Sequence, residues 1–420
     1  MKFLPKRILY LYVENLNPFT LKNSIRCIHQ QVDNSEVSHF GITIKAGSRD
    51  ENNQEQGLAH YIEHCIFKGT SKRKPFHILS RLDAVGGEIN AYTTKEETCI
   101  YGSFLNIYYE RAIELIADIV FNSTFPSHEI QKEKDVIIDE INSYMDSPSE
   151  QIFDDFEDQI FNGHPIGRNI LGTIDSVNSL KKSDITSFIK RNYTPDNIAI
   201  SSVGNIKTAK LIKLCEKYFD REFSKSQGQE RLPFINYIPT HNQLERDTHQ
   251  VHTMMGNMAY DMHNDKRRAL ILLNNVLGGQ GLNNRLNLNI REKFGLTYSI
   301  ESNYVPYSDS GVFQVYFSGE KKTNARIVKL IYKELKKFRE TKLGVNQLHL
   351  AKQQLKGHIA LAQENRVGLM LALGKSLLLF EKVDTNQEIF DQIESITSED
   401  VLEIANEIFI EDQFSSLTFI

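Results

Sequence analysis

Between Arg221 and Arg246 the sequence is polar, carries two prolines and follows neither the period of a strand nor that of a helix. On either side lies close to half of a 420-residue chain. Single hydrophobic cores seldom grow past about 250–300 residues, so one core is not expected to serve the whole chain. The break is therefore read as a linker, 221–246, joining an N-terminal domain, 1–220, to a C-terminal domain, 247–420. In the first half, HFGITIKA at 39–46 alternates as a strand and Gly57 to Phe67 reads as a helix. A long helix over 127–144, another over 181–191, the strand IAISSVG at 198–204 and a helix from 207 follow. The second half shows a similar order: a strand near 251–259, a helix over 265–277, a glycine-rich turn, the strands TYSIESNYV and GVFQVYFSG, then three helical stretches. No repeat of about 20–50 residues appears, which argues against a solenoid and for a duplicated α+β unit.

Composition narrows the class of protein. Forty per cent hydrophobic and 25% charged residues suit a globular chain. A formal charge of -5 spread over this length leaves no concentrated basic face, and so no nucleic-acid footprint. Cys27, Cys65, Cys99 and Cys215 form no paired motif and read as reduced thiols of a reducing compartment. The opening MKFLPKRILYLYVEN stops its apolar run at Glu14 without a small-residue cleavage site, and no stretch reaches the length of a membrane span. A cytoplasmic protein without a membrane partner is expected.

The chemistry concentrates in His60-Tyr61-Ile62-Glu63-His64. Histidines four apart on a helix project from one face and can share an ion, with Glu63 beside them. A catalytic zinc needs three protein ligands and an open position, so a third must come from elsewhere. The segment EIQKEKDVIIDEINSYM offers Glu133 and Glu140, seven residues and about two turns apart, hence on one helical face. Val136, Ile137 and Ile141 are expected to supply its apolar contact. One carboxylate could reach the metal, Glu140 being the better placed candidate, and the other could support it. Glu63, free of the metal, could serve as general base. Each residue also has an ordinary reading: a lone histidine is more often packed or solvated than a ligand, and helix carboxylates are mostly solvated.

The segment GSRDENNQEQGLAHYIEHCIFKGTSKRKPFHILSRLDAVGGEINAYTTKEETCIY resembles the metal-binding region of the pitrilysin and insulinase family of zinc metallopeptidases, in its short, processing-peptidase-like branch. The resemblance extends over nearly the whole chain. It implies two similar α/β-sandwich halves facing each other as a clamshell around an interdomain chamber. It implies one Zn2+ per chain on His60, His64 and Glu140, since Glu140 follows His64 by 76 residues, where the family carries its third ligand. Glu63 takes the place of the family's catalytic base and Glu133 that of its supporting acid. Asn90 and Ala91, after Gly86-Gly87, match the edge strand on which substrate lies extended, although by themselves the glycines read as a hairpin turn. In LGGQGLNNRLNLNIREKFGLTYSI, Arg291 and Tyr298 match the pair that reaches substrate from the second half. Asn283-Asn284 stand where the family commonly has small serines. Gly278, Gly279 and Gly281 lack a phosphate-loop context, and the stretch around His164-Pro165, Gly167 and Gly172 reads as a structural loop.

These features imply a zinc-dependent endopeptidase acting on peptides or unfolded polypeptide. Metal motif and Arg-Tyr pair occur in one chain, which favours a homodimer or self-sufficient monomer over an obligate heterodimer. The alternatives are a non-catalytic structural or partner subunit of the same fold, against which the complete metal set argues, and a zinc hydrolase of non-peptide substrates, against which the edge strand and Arg-Tyr pair argue.

Overall fold

The computed structural model describes residues 16–223 and 230–420. The N-terminal segment read above for a cleavage site, and residues 224–229 of the expected linker, lie outside the described residues. Strands β1 (Leu16–Thr20), β2 (Arg26–Gln31), β3 (Val37–Ile44), β4 (Glu88–Thr93), β5 (Thr98–Leu105) and β6 (Ile198–Gly204) form one sheet in the order β1-β2-β6-β3-β5-β4. Strands β7 (His241–Leu244), β8 (Val251–Met258), β9 (Thr297–Pro306), β10 (Gly311–Gly319) and β11 (Ser415–Phe419) form the other in the order β7-β11-β8-β10-β9. Leaving β1 aside, the two orders are the same, strand for strand. In each, one parallel pair, β2 with β6 or β7 with β11, is followed by three antiparallel pairs. The expected duplicated α+β unit is therefore present at the level of topology. β4 and β9 occupy equivalent free edges.

The helices repeat as well. Between β3 and β6 run α1 (Leu58–Cys65), α2 (Pro75–Asp83), α3 (Tyr109–Phe121), α4 (Ser127–Met145), α5 (Pro148–Phe161), α6 (Ile174–Ser179) and α7 (Lys182–Asn192), with α8 (Thr208–Phe219) after β6. The second half carries α9 (Arg267–Gly278), α10 (Asn324–Glu340), α11 (Val345–Glu364), α12 (Arg366–Phe380), α13 (Asn386–Ser395) and α14 (Ser398–Ile408). Two differences from the sequence expectation stand out. Five helices, not three stretches, follow β10, because the side chains of Asn365, Thr385 and Thr397 accept backbone N–H groups and start new helices. The stretch expected to be a linker also contains β7, and the chain ends in a strand, β11; both are too short for periodicity to reveal.

Alternation along the strands explains the layering. In β6 Ile198 and Ile200 enter the core beneath the first half's own helices, while Ala199 and Val203 enter a second cluster with Met370, Leu373, Leu377 and Leu378 of α12. Small residues admit this helix closely: a Cβ on Gly374 would lie 2.8 Å from Ser201 Oγ and 2.9 Å from Thr43 Oγ1. The second sheet does the same in reverse. Phe313, Val315 and Phe317 of β10 pack with its own helices, and Val312 and Tyr316 pack with Met254, Leu417, Phe419 and Ile152, Phe156 and Ile160 of α5. The α5 and α12 helices hold equivalent places in the two halves, and each covers the other half's sheet. Both sheets are thus sandwiched between helices, and the two halves share core. Among the described residues no helix is long and apolar enough to cross a membrane.

Candidate metal centre

Helix α1 starts from a fixed point. Gly57, its N-cap, has φ +87°, and Gly172 opposite has φ +73°. A Cβ on the first would meet Leu171 O at 2.6 Å and one on the second Gln56 O at 2.5 Å, so only glycines let these two turns stack backbone on backbone. The buried carboxylate of Glu51 accepts from Gly57 N (2.9 Å) and Ala59 N (2.7 Å), satisfying donors a helix start leaves open. Burial pushes the Glu51 carboxyl well above the usual carboxylate range, against the pull of those two N–H groups and of Arg168. Sequence reading missed Glu51 because it stands six residues before the cap, outside any local capping pattern. From this start Leu58, Ala59, Tyr61, Ile62 and Cys65 turn into the core, and the Tyr61 hydroxyl donates to Ile130 O of α4 at 2.5 Å. With those positions committed inward, His60, Glu63 and His64 are left to the other side.

Helix α4 meets them. Ile130, Ile137 and Ile141 anchor it, and Glu133 is buried among them. Val136, expected as an apolar contact, is 48% exposed, because its place on the helix lies off the stripe formed by 130, 137 and 141. His60 Nε2 lies 3.8 Å and His64 Nε2 3.5 Å from the same Glu140 oxygen, Oε2. Both are too long for hydrogen bonds. They match the spacing of about 3.4 Å expected between two donors each about 2.1 Å from a tetrahedral ion. Ligand atoms of His60, His64 and Glu140 all lie within 4.8 Å of one another, the only such group among the described residues. The equivalent helix of the second half, α9, carries no histidine, cysteine or carboxylate.

The surroundings suit a cation. Glu133 Oε2 takes His64 Nδ1 at 3.2 Å, and its Oε1 pairs with Lys68 Nζ at 2.6 Å. A carboxylate behind a histidine fixes the tautomer and leaves Nε2 with its lone pair free for a metal. Sequence reading missed Lys68 because it lies beyond the end of α1 at Cys65, in a turn where helical spacing gives no signal. Burial, with His64 adjacent, lowers the His60 pKa to about 4, so this imidazole stays neutral and ready to ligate. Glu63 is raised by burial and by Glu140, against the opposing pull of the Thr93 side chain and of His64. Two imidazoles and one carboxylate make the donor set of a hydrolytic zinc site.

Thr93 belongs to β4, which packs beside α1. Asn90 pairs with Tyr101 and Ala91 with Ile100 on β5, and the other edge of β4 pairs with no strand of the sheet. Gly86-Gly87 is a turn, but not of a hairpin: the Gly87 N–H closes on Leu82 O and ends α2, with Gly86 at φ +72°. In the second half the Arg291 guanidinium lies 5.0 Å from the Tyr298 ring centroid, and Tyr298 is 80% exposed on β9. Arg291 sits in a single π-helical turn, Asn287–Glu292, a distortion frequent at functional sites. The structure therefore gathers His60, Glu63, His64, Glu133 and Glu140 into one site, and Arg291 with Tyr298 into another. Among the described residues no hydrogen bond or ion pair links the two groups.

Residues 26–174 match the family described as Insulinase (Peptidase family M16), and residues 179–355 match its Peptidase M16 inactive domain. The uncharacterized zinc protease YmxG of Bacillus subtilis is 32% identical over 396 residues, 94% of this chain and 96% of that protein. An uncharacterized zinc protease of Rickettsia felis is 34% identical over 402 residues, 94% and 95% of the two chains. Among solved structures, a protease from Helicobacter pylori superposes with a TM-score of 0.87 at 21% identity, over 96% of this chain and 99% of that one. A protein from Pseudomonas fluorescens described as a peptidase M16 inactive domain superposes with a TM-score of 0.88 at 18% identity, over 96% and 98%.

Proposed function

Because this chain belongs to the insulinase family of peptidases, family M16, we propose that it is a zinc-dependent endopeptidase hydrolysing peptides or unfolded polypeptide segments, held as an extended strand between its two halves. The observation that carries the proposal is the convergence of His60 Nε2, His64 Nε2 and Glu140 Oε2 next to Glu63, where α4 meets α1 and α1 packs against the edge strand β4. His60, His64 and Glu140 would hold one zinc ion per chain. Zinc bound there supplies a Lewis acid that polarises the scissile carbonyl and draws the pKa of water down towards about 7.

Glu63 takes the proton of the attacking water and hands it to the departing amine, a role helped by a carboxyl whose burial favours the protonated form between the two transfers. Glu133 keeps the His64 imidazole oriented. The main chain at Asn90 and Ala91 hydrogen-bonds an added strand, which reads backbone rather than side chains and so tolerates many sequences. Arg291 and Tyr298 take the substrate from the second half, through a guanidinium and a phenol suited to a peptide carbonyl. We place the enzyme in the cytoplasm, as a homodimer or self-sufficient monomer, with no nucleic-acid or membrane partner.

Glu63→Gln tests the mechanism: zinc content by elemental analysis should stay at one per chain, while cleavage of an unstructured peptide falls by about a hundredfold or more. Undiminished cleavage in that variant overturns the assignment of Glu63.

A further inference from the structure

The turn joining β4 to β5 carries three consecutive charged residues, Lys95, Glu96 and Glu97, and all three are buried. Turn tips are ordinarily solvated. Here each residue grips a different element. Lys95 Nζ pairs with Glu157 of α5 at 2.7 Å, and Glu157 also accepts the Tyr307 hydroxyl at 2.6 Å. Glu97 pairs with Lys375 of α12 at 3.1 Å. Those are the two helices exchanged between the halves.

Glu96 takes the central contacts. The equivalent turn of the second half, between β9 and β10, lies against it: Ser308 N donates to Glu96 Oε2 at 2.9 Å and the Ser308 hydroxyl to Oε1 at 2.5 Å. Arg49 bridges Glu96 Oε1 (2.6 Å) and Asp309 Oδ1 (2.8 Å). Arg231, from the stretch between the halves, forks onto Asp50 with two 2.8 Å bonds and reaches Glu96 Oε1 at 3.2 Å and the Glu96 carbonyl at 2.8 Å. Arg49 and Glu96 are buried and Asp50, Arg231 and Asp309 half-buried; charges withdrawn from water in this way are costly unless paired and hydrogen-bonded, and here each is. Arg49 and Asp50 stand immediately before Glu51, whose carboxylate fixes the start of α1. One junction therefore holds the end of β4, the approach to the metal helix and the tip of the second half.

We propose that Glu96 is a positioning residue for the substrate: clamped by Arg49, Arg231 and the Ser308-Asp309 turn, it sets the free edge of β4 at a fixed place relative to α1 when the halves are together. The proposal rests on β4 being the edge that holds an extended substrate. The chain reads the presence of its second half through this carboxylate, and the edge is in place for strand addition only when that turn is seated.

Two variants of the full-length protein test it. Glu96→Gln opposes an amide N–H to a donor, and Asp309→Asn leaves Glu96 intact while removing the second half's charge, so a folding failure of the first does not end the test. Amide hydrogen exchange should rise about fivefold or more in β4 and its turn, while β2 and β6 stay protected. For a peptide long enough to run the length of β4, KM should rise about tenfold with kcat nearly unchanged and zinc content intact, while a peptide too short to reach along β4 is unaffected. Unchanged exchange in β4 in both variants overturns the proposal, as does a loss of kcat with KM unaltered. Failure of the unsubstituted protein to cleave any peptide overturns instead the endopeptidase reading, and the exchange measurement then decides the junction on its own.

Discussion

Truncating Phe156 to alanine should loosen the second sheet, although Phe156 belongs to the first half of the chain. Its ring is fully buried on α5 and lies against β8, where a Cβ added to Gly256 would come within 3.0 Å of Phe156 Cε1. The facing wall is strand backbone, which cannot collapse into the space a lost ring leaves. The cost should therefore sit high in the range of about 3–5 kcal/mol found for such truncations. At about 2–4 °C per kcal/mol for a unit of this size, the melting temperature should fall by roughly 6–20 °C. Calorimetry measures the loss, and hydrogen exchange read by mass spectrometry locates it: β8, β10 and β11 should exchange faster, while β3 and β5 change less. Leu373→Ala on α12 is the mirror experiment, and it should act on β2, β3 and β6 at a cost of about 2–5 kcal/mol. A loss below about 1 kcal/mol from Phe156→Ala, or faster exchange confined to the first sheet, would refute the exchange of helices as a source of stability.

Two further outcomes are expected. Glu133→Gln should weaken zinc binding about 10–100-fold in a chelator competition, because the amide no longer holds His64 Nδ1–H and Lys68 with equal strength; unaltered affinity would show that His64 is oriented by packing alone. Asp155 on α5 is raised to about 6 by burial, with Asp154 and Asp158 adding to the rise against the pull of Arg246. A carboxyl whose folded pKa exceeds its unfolded value of about 3.9 stabilises the fold fully below that value and loses the contribution as pH rises through about 6. Melting curves of wild type and Asp155→Asn should accordingly diverge between about pH 4 and pH 6, with the variant the more stable at pH 7; parallel curves would exclude Asp155 as the titrating group.

The candidate metal site was legible in the sequence to the extent that it is local. His60 and His64 at four residues, and Glu133 and Glu140 at seven, fall on common faces by helical geometry alone, whatever the rest of the chain does. Likewise, β6 and β10 were readable from end to end because both their faces are buried and each is rich in apolar and β-branched residues, with few polar interruptions. That β4 is a free edge, and that the Gly86-Gly87 turn ends a helix and not a hairpin, depends on strand order, which no period encodes. The same holds for Val136, placed on the wrong side by reading apolar character without the facing helix.

Sequence by itself determined the residue types that can ligate an ion, the duplicated order of elements and, through resemblance, the kind of chemistry to look for. Tertiary structure alone decided that Glu133 holds the Nδ1 of His64 while Glu140 faces both Nε2 atoms, that Glu51 closes the start of α1, and that α5 and α12 are exchanged between the halves. It also brought together Glu96, Arg49, Arg231 and Asp309, residues as much as 260 positions apart. The physical reason is one of range. Backbone geometry repeats over a few residues and leaves its mark on neighbours in the chain, whereas pairing between distant segments is fixed by which surfaces bury each other best, a choice made only once the whole chain has packed.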